Sequence, residues 1–454
     1  MRYDGGVVMG RLFGTDGVRG VANVELTPEL AFQLGQSGAA VLAKNTPQPK
    51  ILIGKDPRLS GAMLEAALIA GITSVGGDVV LLDVVPTPAV AYLTKVLQAH
   101  ASIMISASHN PMEDNGIKFF AGDGFKLTDQ VEDEIEQSLG SKELPRPIGK
   151  HVGRVYQEKQ ALEKYMDFLI DCVNVDLRGL HIALDCANGA AYHCAPQVLE
   201  RLGAKVSVIN AAPTGVNINV NSGSTHPDVM QDYVVDVGAD IGITHDGDAD
   251  RVLAVDERGN LVDGDHILAI CGLDLLAKNK LPNKKIVSTV YSNGGLRQGF
   301  QQAGGEVVLT SAGDRYVLEA MIEHDLVLGG EQSGHIIFLD HNTTGDGVLT
   351  ALKLLEVLLD KGVPLSELAQ VMPVFPQVLT NVRVDTKDGW DQNVRIQAAI
   401  KKAESLLAPD GRIFVRASGT ESLIRVMGEH PANKQLLDEV IQAVATVVQS
   451  EQGA

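Results

Sequence analysis

A chain of 454 residues with 45% hydrophobic and 21% charged side chains is of ordinary globular composition and too long for one core. Its formal net charge of −19 at pH 7 argues against nucleic acid or an anionic membrane as the main partner. A local cationic site for an anionic small molecule is not excluded by that total. The four cysteines, Cys172, Cys186, Cys194 and Cys271, show neither CxxC spacing nor a histidine at metal-ligand spacing. Reduced, buried thiols in a cytoplasmic protein are therefore expected, and no apolar run reaches membrane-spanning length.

In chain order, residues 11–20 read RLFGTDGVRG, with three glycines and no period, and are expected to form a loop. Thr27, Pro28 and Glu29 open a helix to about residue 44, with Thr27 as N-cap. Residues 50–54 form a strand ending in KDPRLSG, residues 63–71 an apolar helix, and residues 78–82 a strand closed by Pro86, Thr87 and Pro88. The apolar run Ile103, Met104 and Ile105 ends a buried strand and breaks into SASHNP, a tight loop by its small residues, Asn and Pro. Ser108 stands at that loop's tip, with His109 beside it and Lys118 ten residues on. A serine hydroxyl is a weak nucleophile by itself, so it must be activated or must already carry the group to be transferred.

The same alternation returns twice. Strands at 181–185 and 205–209 flank a helix ending near residue 202, and after VNSGSTHPD a strand at 241–243 leads into HDGDADR. A helix from Asp265 to about residue 275, a strand at 285–288, a helix near Leu296 and a strand at 306–309 follow, before 326–328 enters GGEQSGH. Beyond residue 371 the pattern changes to a strand at 378–384, an amphipathic helix at 395–407, strands at 412–416 and 423–427, and a final helix from about 434. The expected architecture is three consecutive α/β domains with mixed, mostly parallel sheets plus a smaller C-terminal α+β domain. Their expected bounds are residues 1–155, 156–261, 262–372 and 373–454.

Three loops carry further chemistry. In HDGDADR, Asp246, Asp248 and Asp250 alternate with Gly and Ala, so a short curl turns all three carboxylates towards one hard cation such as Mg²⁺. An EF-hand is rejected: Arg251 stands where that loop needs Gly, and residues 252–255 read as a strand. GGEQSGH has a GxxxxG frame, but His335 and Ile336 replace the Lys and Ser/Thr of a nucleotide phosphate loop. Its Glu331 and Ser333 suit sugar hydroxyls instead. RASGTES, with Arg425 beyond it, offers hydroxyls, open backbone N–H groups and guanidinium, which together suit phosphate.

SASHNP, DGDADR, GEQSGH and SGTES, in this order and preceded by RLFGTDGVRG, resemble the α-D-phosphohexomutase superfamily over residues 11–449. The resemblance implies four domains around a central cleft, each giving one loop, and an intramolecular phosphotransferase. By it, Ser108 carries the transferable phosphoryl group, and Asp246, Asp248 and Asp250 hold one Mg²⁺ together with an oxygen of phosphorylated Ser108. Glu331 and Ser333 match sugar contacts; Arg416, Ser418, Gly419, Thr420 and Arg425 match the site of the non-transferring phosphate. Arg19, Lys118 and His335 match positions for charge stabilisation or proton transfer, and His109 joins the catalytic set. Gln332 points to the glucosamine branch, in which glucosamine 6-phosphate and glucosamine 1-phosphate interconvert through glucosamine 1,6-bisphosphate, towards UDP-N-acetylglucosamine. Phosphomannomutase or phosphoglucomutase activity is the alternative. A non-catalytic phosphosugar-binding protein should have lost the serine or the carboxylates, which this chain keeps. The implied partner is a small phosphosugar, with no nucleic acid and no membrane, and a homodimer is left open. Three residues depart from the family pattern: Pro57 for Thr, Ser311 for Lys and Ser422 for Pro.

Overall fold

The computed structural model describes residues 11–453 apart from Thr15, Asn45 and residues 419–421, so Gly419 and Thr420 lie outside the described residues. The first sheet has six strands. Ala101–Ile105, Lys50–Lys55, Asp78–Val84 and Val155–Gln157 are parallel neighbours, and Asp114–Ala121 then Val18–Val21 extend the sheet antiparallel beside Ala101–Ile105. Every residue of Ala101–Ile105 is buried, which accounts for the apolar run Ile103, Met104 and Ile105. The helices Pro28–Leu42 and Gly61–Ser74 pack Leu34, Leu64 and Leu68 into one cluster with Ile51, Ile53 and Ile103. Thr27 caps the first of these helices as expected, its Oγ1 accepting from the Leu30 amide at 3.2 Å.

Two expectations need correction here. Pro86, Thr87 and Pro88 do more than close a strand: they open the helix Thr87–Val96, where proline in the first turn gives up no helical hydrogen bond. The expected loop at residues 11–20 ends in the strand Val18–Val21, with Arg19 opposite Gly116. That strand is too short, and its glycine too permissive, for alternation to reveal it.

A five-stranded sheet follows in the order Leu261–Val262, Val252–Asp256, Ile241–His245, His181–Asp185, Lys205–Ile209. The third sheet runs Glu306–Thr310, Lys285–Thr289, Leu328–Gly330, Ile336–Phe338, its strand into GGEQSGH starting two residues later than expected. The fourth is antiparallel, with Leu423–Glu429 between Gln377–Arg383 and Arg412–Ala417. It is covered by the helices Val394–Leu407 and Lys434–Gln452, whose Ile396, Leu437 and Ile441 pack on Ile424 and Val426.

The chain divides into two compact units. One comprises residues up to Val290 together with Val308–Gln370; the other comprises Tyr291–Val307 and the residues from Val371 onward. The second unit takes in the helix Gly294–Gln302 because Asn293 and Gly294, at its start, bond to C-terminal residues. Asn293 Nδ2 donates to Phe375 O at 2.9 Å, and the Gly294 amide donates to Glu429 Oε2 at 3.1 Å. Among the described residues, no helix is long and apolar enough to cross a membrane.

Candidate active site

Three polar loops of the first unit leave the carboxyl ends of sheet strands, the end at which α/β proteins place ligands. SASHNP follows Ala101–Ile105, HDGDADR follows Ile241–His245, and GEQSGH follows Leu328–Gly330. Ser108 has a left-handed backbone, φ +53°, which costs a non-glycine residue about 1–2 kcal/mol. Its surroundings hold it there. The Ser108 amide donates to Ser106 Oγ at 2.9 Å, and Ser106 Oγ donates to Asp56 Oδ2 at 2.6 Å. The hydroxyl is thereby aimed at the acidic loop, with Ser108 Oγ donating to Asp246 Oδ2 at 2.6 Å.

The acidic loop brings Asp246, Asp248 and Asp250 together, one oxygen of each within 4.8 Å of the others, all buried. Gly247 is required between them: a Cβ there would sit 2.5 Å from the Ser108 carbonyl oxygen. Asp248 Oδ2 accepts from Thr87 Oγ1 and from Lys118 Nζ, the latter at 2.8 Å. Its other oxygen, and Oδ1 of Asp250, are buried without a hydrogen-bond partner among the described residues. Burial, then Asp250 and Asp248, push the Asp246 carboxyl well above its ordinary range, a repulsion that a bound cation relieves. Hard oxygen donors, two of them accepting no hydrogen bond among the described residues, beside a serine hydroxyl fit a small divalent cation.

Around this centre runs a chain of opposite charges. Lys118 Nζ lies 2.9 Å from Asp16 Oδ2 and 3.7 Å from Asp250 Oδ2. Burial alone would lower Lys118, but Asp16, Asp248 and Asp250 outweigh it and keep the ammonium charged. Asp16 also pairs with Arg19 and Lys126, and Lys126 pairs in turn with Asp314. Asp314 Oδ2 is 3.6 Å from His335 Nε2. His335 is buried, and neither ring nitrogen has a hydrogen-bond partner among the described residues. His109 Nδ1 lies 3.3 Å from Ser108 Oγ; burial, then Arg251 and Arg19, pull its pKa down to about 3, so the ring is neutral at ordinary pH.

GEQSGH is pinned to the acidic segment. The Val252 amide donates to Gly334 O at 3.1 Å, and Arg251 and His335 form a β-bridge. Glu331 is half-buried, Oε1 accepting from the Gly313 amide at 3.1 Å, and Ser333 is exposed. In the second unit, Arg416 and Arg425 are direct cross-strand partners, so their side chains share one sheet face. The Arg416 guanidinium stacks 5.0 Å from the Tyr291 ring centroid, and the Ser418 amide closes the hairpin on Leu423 O at 2.9 Å.

Ser108, His109, Lys118, Arg19, His335 and the three aspartates, all singled out in the sequence, belong to one charged neighbourhood of the first unit. Sequence reasoning missed Asp16, Thr87, Lys126, Asp314, Arg58 and Asn219. Asp16 sits inside RLFGTDGVRG and Asp314 three residues after Ser311, both in stretches the sequence singles out. Their partners, however, lie as far as 188 residues away.

Family models match almost the whole chain in four consecutive pieces. The three phosphoglucomutase/phosphomannomutase alpha/beta/alpha domains I, II and III match residues 10–146, 163–259 and 263–375, and the C-terminal domain matches residues 379–447. A protein of Carboxydothermus hydrogenoformans named phosphoglucosamine mutase is 56% identical over 443 residues, covering 97% of this chain and 100% of that protein. One of Bacillus subtilis with the same name is 51% identical over 447 residues, covering 98% and 100%. The crystal structure of a phosphoglucomutase/phosphomannomutase family protein from Burkholderia thailandensis superposes with a TM-score of 0.82, covering 98% of each chain at 23% identity. That last likeness speaks for the fold.

Proposed function

Because this chain belongs to the phosphoglucomutase/phosphomannomutase family, we propose a reaction for it: the interconversion of glucosamine 6-phosphate and glucosamine 1-phosphate. It is an isomerase acting by phosphoryl transfer, and relatives more than half identical over nearly its full length carry the glucosamine name. The observation that carries the reading is the 2.6 Å contact of Ser108 Oγ with Asp246 across two loops, beside two carboxylate oxygens that accept no hydrogen bond among the described residues.

Ser108 carries the phosphoryl group. In the forward step the bond from phosphorus to Ser108 Oγ breaks as a bond forms to O1 of glucosamine 6-phosphate, giving glucosamine 1,6-bisphosphate. The bisphosphate turns round and returns its 6-phosphoryl group to Ser108, leaving glucosamine 1-phosphate. Phosphoryl transfer asks little covalent work of the protein, so positioning and charge neutralisation dominate. Asp246, Asp248 and Asp250, with an oxygen of the phosphorylated serine, are the residues that would hold Mg²⁺. When bound, that ion neutralises charge on the transferring group.

Lys118 and Arg19 supply fixed positive charge at the same place, the first kept charged by its three carboxylate neighbours. His109, neutral and a weak base, orients the Ser108 oxygen through Nδ1, and buried His335 is the candidate to take up the proton of the attacking hydroxyl. Glu331 and Ser333 orient the sugar hydroxyls. Arg416, Arg425 and Ser418, with Gly419 and Thr420, bind the phosphate that is not being transferred, two guanidinium groups on one face suiting its oxygens. A cytoplasmic setting fits such a substrate.

The test is a comparison of kcat/KM for glucosamine, glucose and mannose 6-phosphates at equal bisphosphate. Preference for glucosamine is expected. A ratio near one, or one favouring mannose, moves the chain to another branch of its family.

A further inference from the structure

Ser108 and Asn110 offer their carbonyl oxygens to the same two donors, and neither donor belongs to the loop. Arg58 Nη2 donates to Ser108 O at 2.9 Å and to Asn110 O at 2.8 Å. Asn219 Nδ2 donates to the same oxygens at 2.9 and 3.1 Å. A carbonyl oxygen has two lone pairs, so both are fully used. The other N–H groups of Arg58 reach Asp56 Oδ2 at 2.9 Å, Asp114 O at 3.1 Å, and Pro111 O. All five donors of this guanidinium are spent on the serine loop and its Asp56 support, and its side chain is 0% exposed. It has none left for a phosphate.

Asn219 has a different origin. It lies between the strands Lys205–Ile209 and Ile241–His245, on the segment that goes on to carry the three aspartates. Its own backbone is left-handed, φ +60°, with its amide donating to Ala187 O at 2.9 Å. A Cβ on Gly247 would lie 2.8 Å from Asn219 Nδ2 and 2.5 Å from Ser108 O. The amide, the serine carbonyl and the backbone of the acidic loop thus meet at one point with no room for a further side chain. Arg58 belongs to the same sheet region as Ser108 and shapes the loop. Asn219 ties the shaped loop to the segment bearing the carboxylates.

In-line transfer needs Ser108 Oγ and those carboxylates held in fixed register. We infer that Asn219 is a positioning residue for phosphoryl transfer, setting that register by holding the Ser108 and Asn110 carbonyls that Arg58 also holds. It touches neither the sugar nor the transferred group. The inference rests on Ser108 being the phosphoryl carrier.

Two variants suit the left-handed backbone at this position. Asn219→Gly removes the amide, and Asn219→Asp keeps the shape but sets oxygens against two carbonyls. Full-length protein is charged at Ser108 with glucosamine 1,6-bisphosphate in Mg²⁺, and single-turnover transfer to glucosamine 6-phosphate is followed by rapid quench. Steady-state kinetics and Tm are measured alongside. The transfer rate should fall roughly 10- to 100-fold, further for Asp than for Gly. KM for the sugar phosphate should stay within about threefold of the parent, because no substrate contact is lost. If the Gly variant does not fold, the isosteric Asp variant carries the test. Transfer at the parental rate, or a loss confined to KM or Tm, overturns the positioning role. A parent that takes up no phosphoryl group at Ser108 overturns the functional reading and this inference with it; a parent that transfers normally beside unaffected variants overturns this inference alone.

Discussion

The serine and acidic loops of the first unit and the arginine hairpin of the second both meet phosphate in the proposed reaction, yet they are built in opposite ways. Around Ser108 the charges closest to it are buried and held by named partners: Lys118 between Asp16 and Asp248, Arg58 on four carbonyls, and Asp248 on Thr87 and Lys118. In the hairpin, Arg416 is exposed and stacks on Tyr291, Arg425 is half-buried, and cross-strand register sets both on one sheet face. Inside a low-dielectric site, fixed charges act strongly and need no rearrangement as the bond breaks. At the surface, a guanidinium is worth less and is screened by salt, but it can accept either end of a turning bisphosphate. In the proposed reaction that difference separates chemistry from holding.

The largest effect should come from the buried side. Ser108→Ala removes the carrier, and mutase activity should fall to the assay background while Tm changes little; retained turnover would refute the carrier role. Asp248→Asn should lower kcat about a hundred-fold or more and weaken Mg²⁺ binding measured by calorimetry. It should also lower Tm, because Lys118 Nζ loses one of its two closest carboxylates. Asp246→Asn, by contrast, should leave Tm without Mg²⁺ unchanged or higher, since it relieves repulsion among buried acids. Equal Tm changes in the two variants would contradict the charge arrangement described above.

The exposed side should respond in binding. Arg416→Ala should raise KM for the sugar phosphate roughly tenfold, the size of one charge-assisted hydrogen bond, with a smaller change in kcat. Arg416→Lys should recover only part of it, because an ammonium neither forks onto phosphate nor stacks on Tyr291 as guanidinium does. The KM increase should shrink as ionic strength rises. A kcat defect as deep as that of Asp248→Asn would erase the distinction between the two regions.

The last effect leaves activity aside and concerns the pH dependence of stability in the first unit. Asp346 caps the helix Gly347–Lys361 and is pushed up to about 6 by burial, against the pull of hydrogen bonds from Leu349, Tyr165 and Asn342. A carboxyl held above its unfolded value binds its proton more tightly when folded. Its contribution is therefore full below pH about 4 and is lost as pH rises through about 6, a change of up to roughly 3 kcal/mol. Asp346→Asn keeps an acceptor for the Leu349 amide and should flatten that part of the Tm profile between pH 4 and 7. An unchanged slope would place the titration elsewhere.

Much of this was legible in the sequence, for a physical reason. Buried strands that break into Ser, Asp, Gly and His announce loops at strand ends, and SASHNP, HDGDADR and GEQSGH all lie there. What stayed hidden depends on distant pairing. Thr87 looked like part of a breaker between two prolines, and its partner Asp248 is 161 residues away. Asn219 reaches Ser108 across 111 residues. Lys126 bridges Asp16 and Asp314 across 110 and 188 residues. No local period encodes such contacts. The acidic helix Asp129–Ser138 went unseen as well, its apolar positions being too few to show a face.

Whether Ser108 is the phosphoryl carrier is read out by one turnover of the charged protein. Protein labelled on the phosphoryl group is mapped by peptide mass spectrometry, then mixed with unlabelled glucosamine 6-phosphate and Mg²⁺ and quenched at intervals. Label is expected on the peptide containing Ser108 alone, lost from the protein as it appears in glucosamine 1,6-bisphosphate, at a rate no slower than kcat. Label on another residue, or label that stays on Ser108 while substrate turns over, would contradict the carrier role.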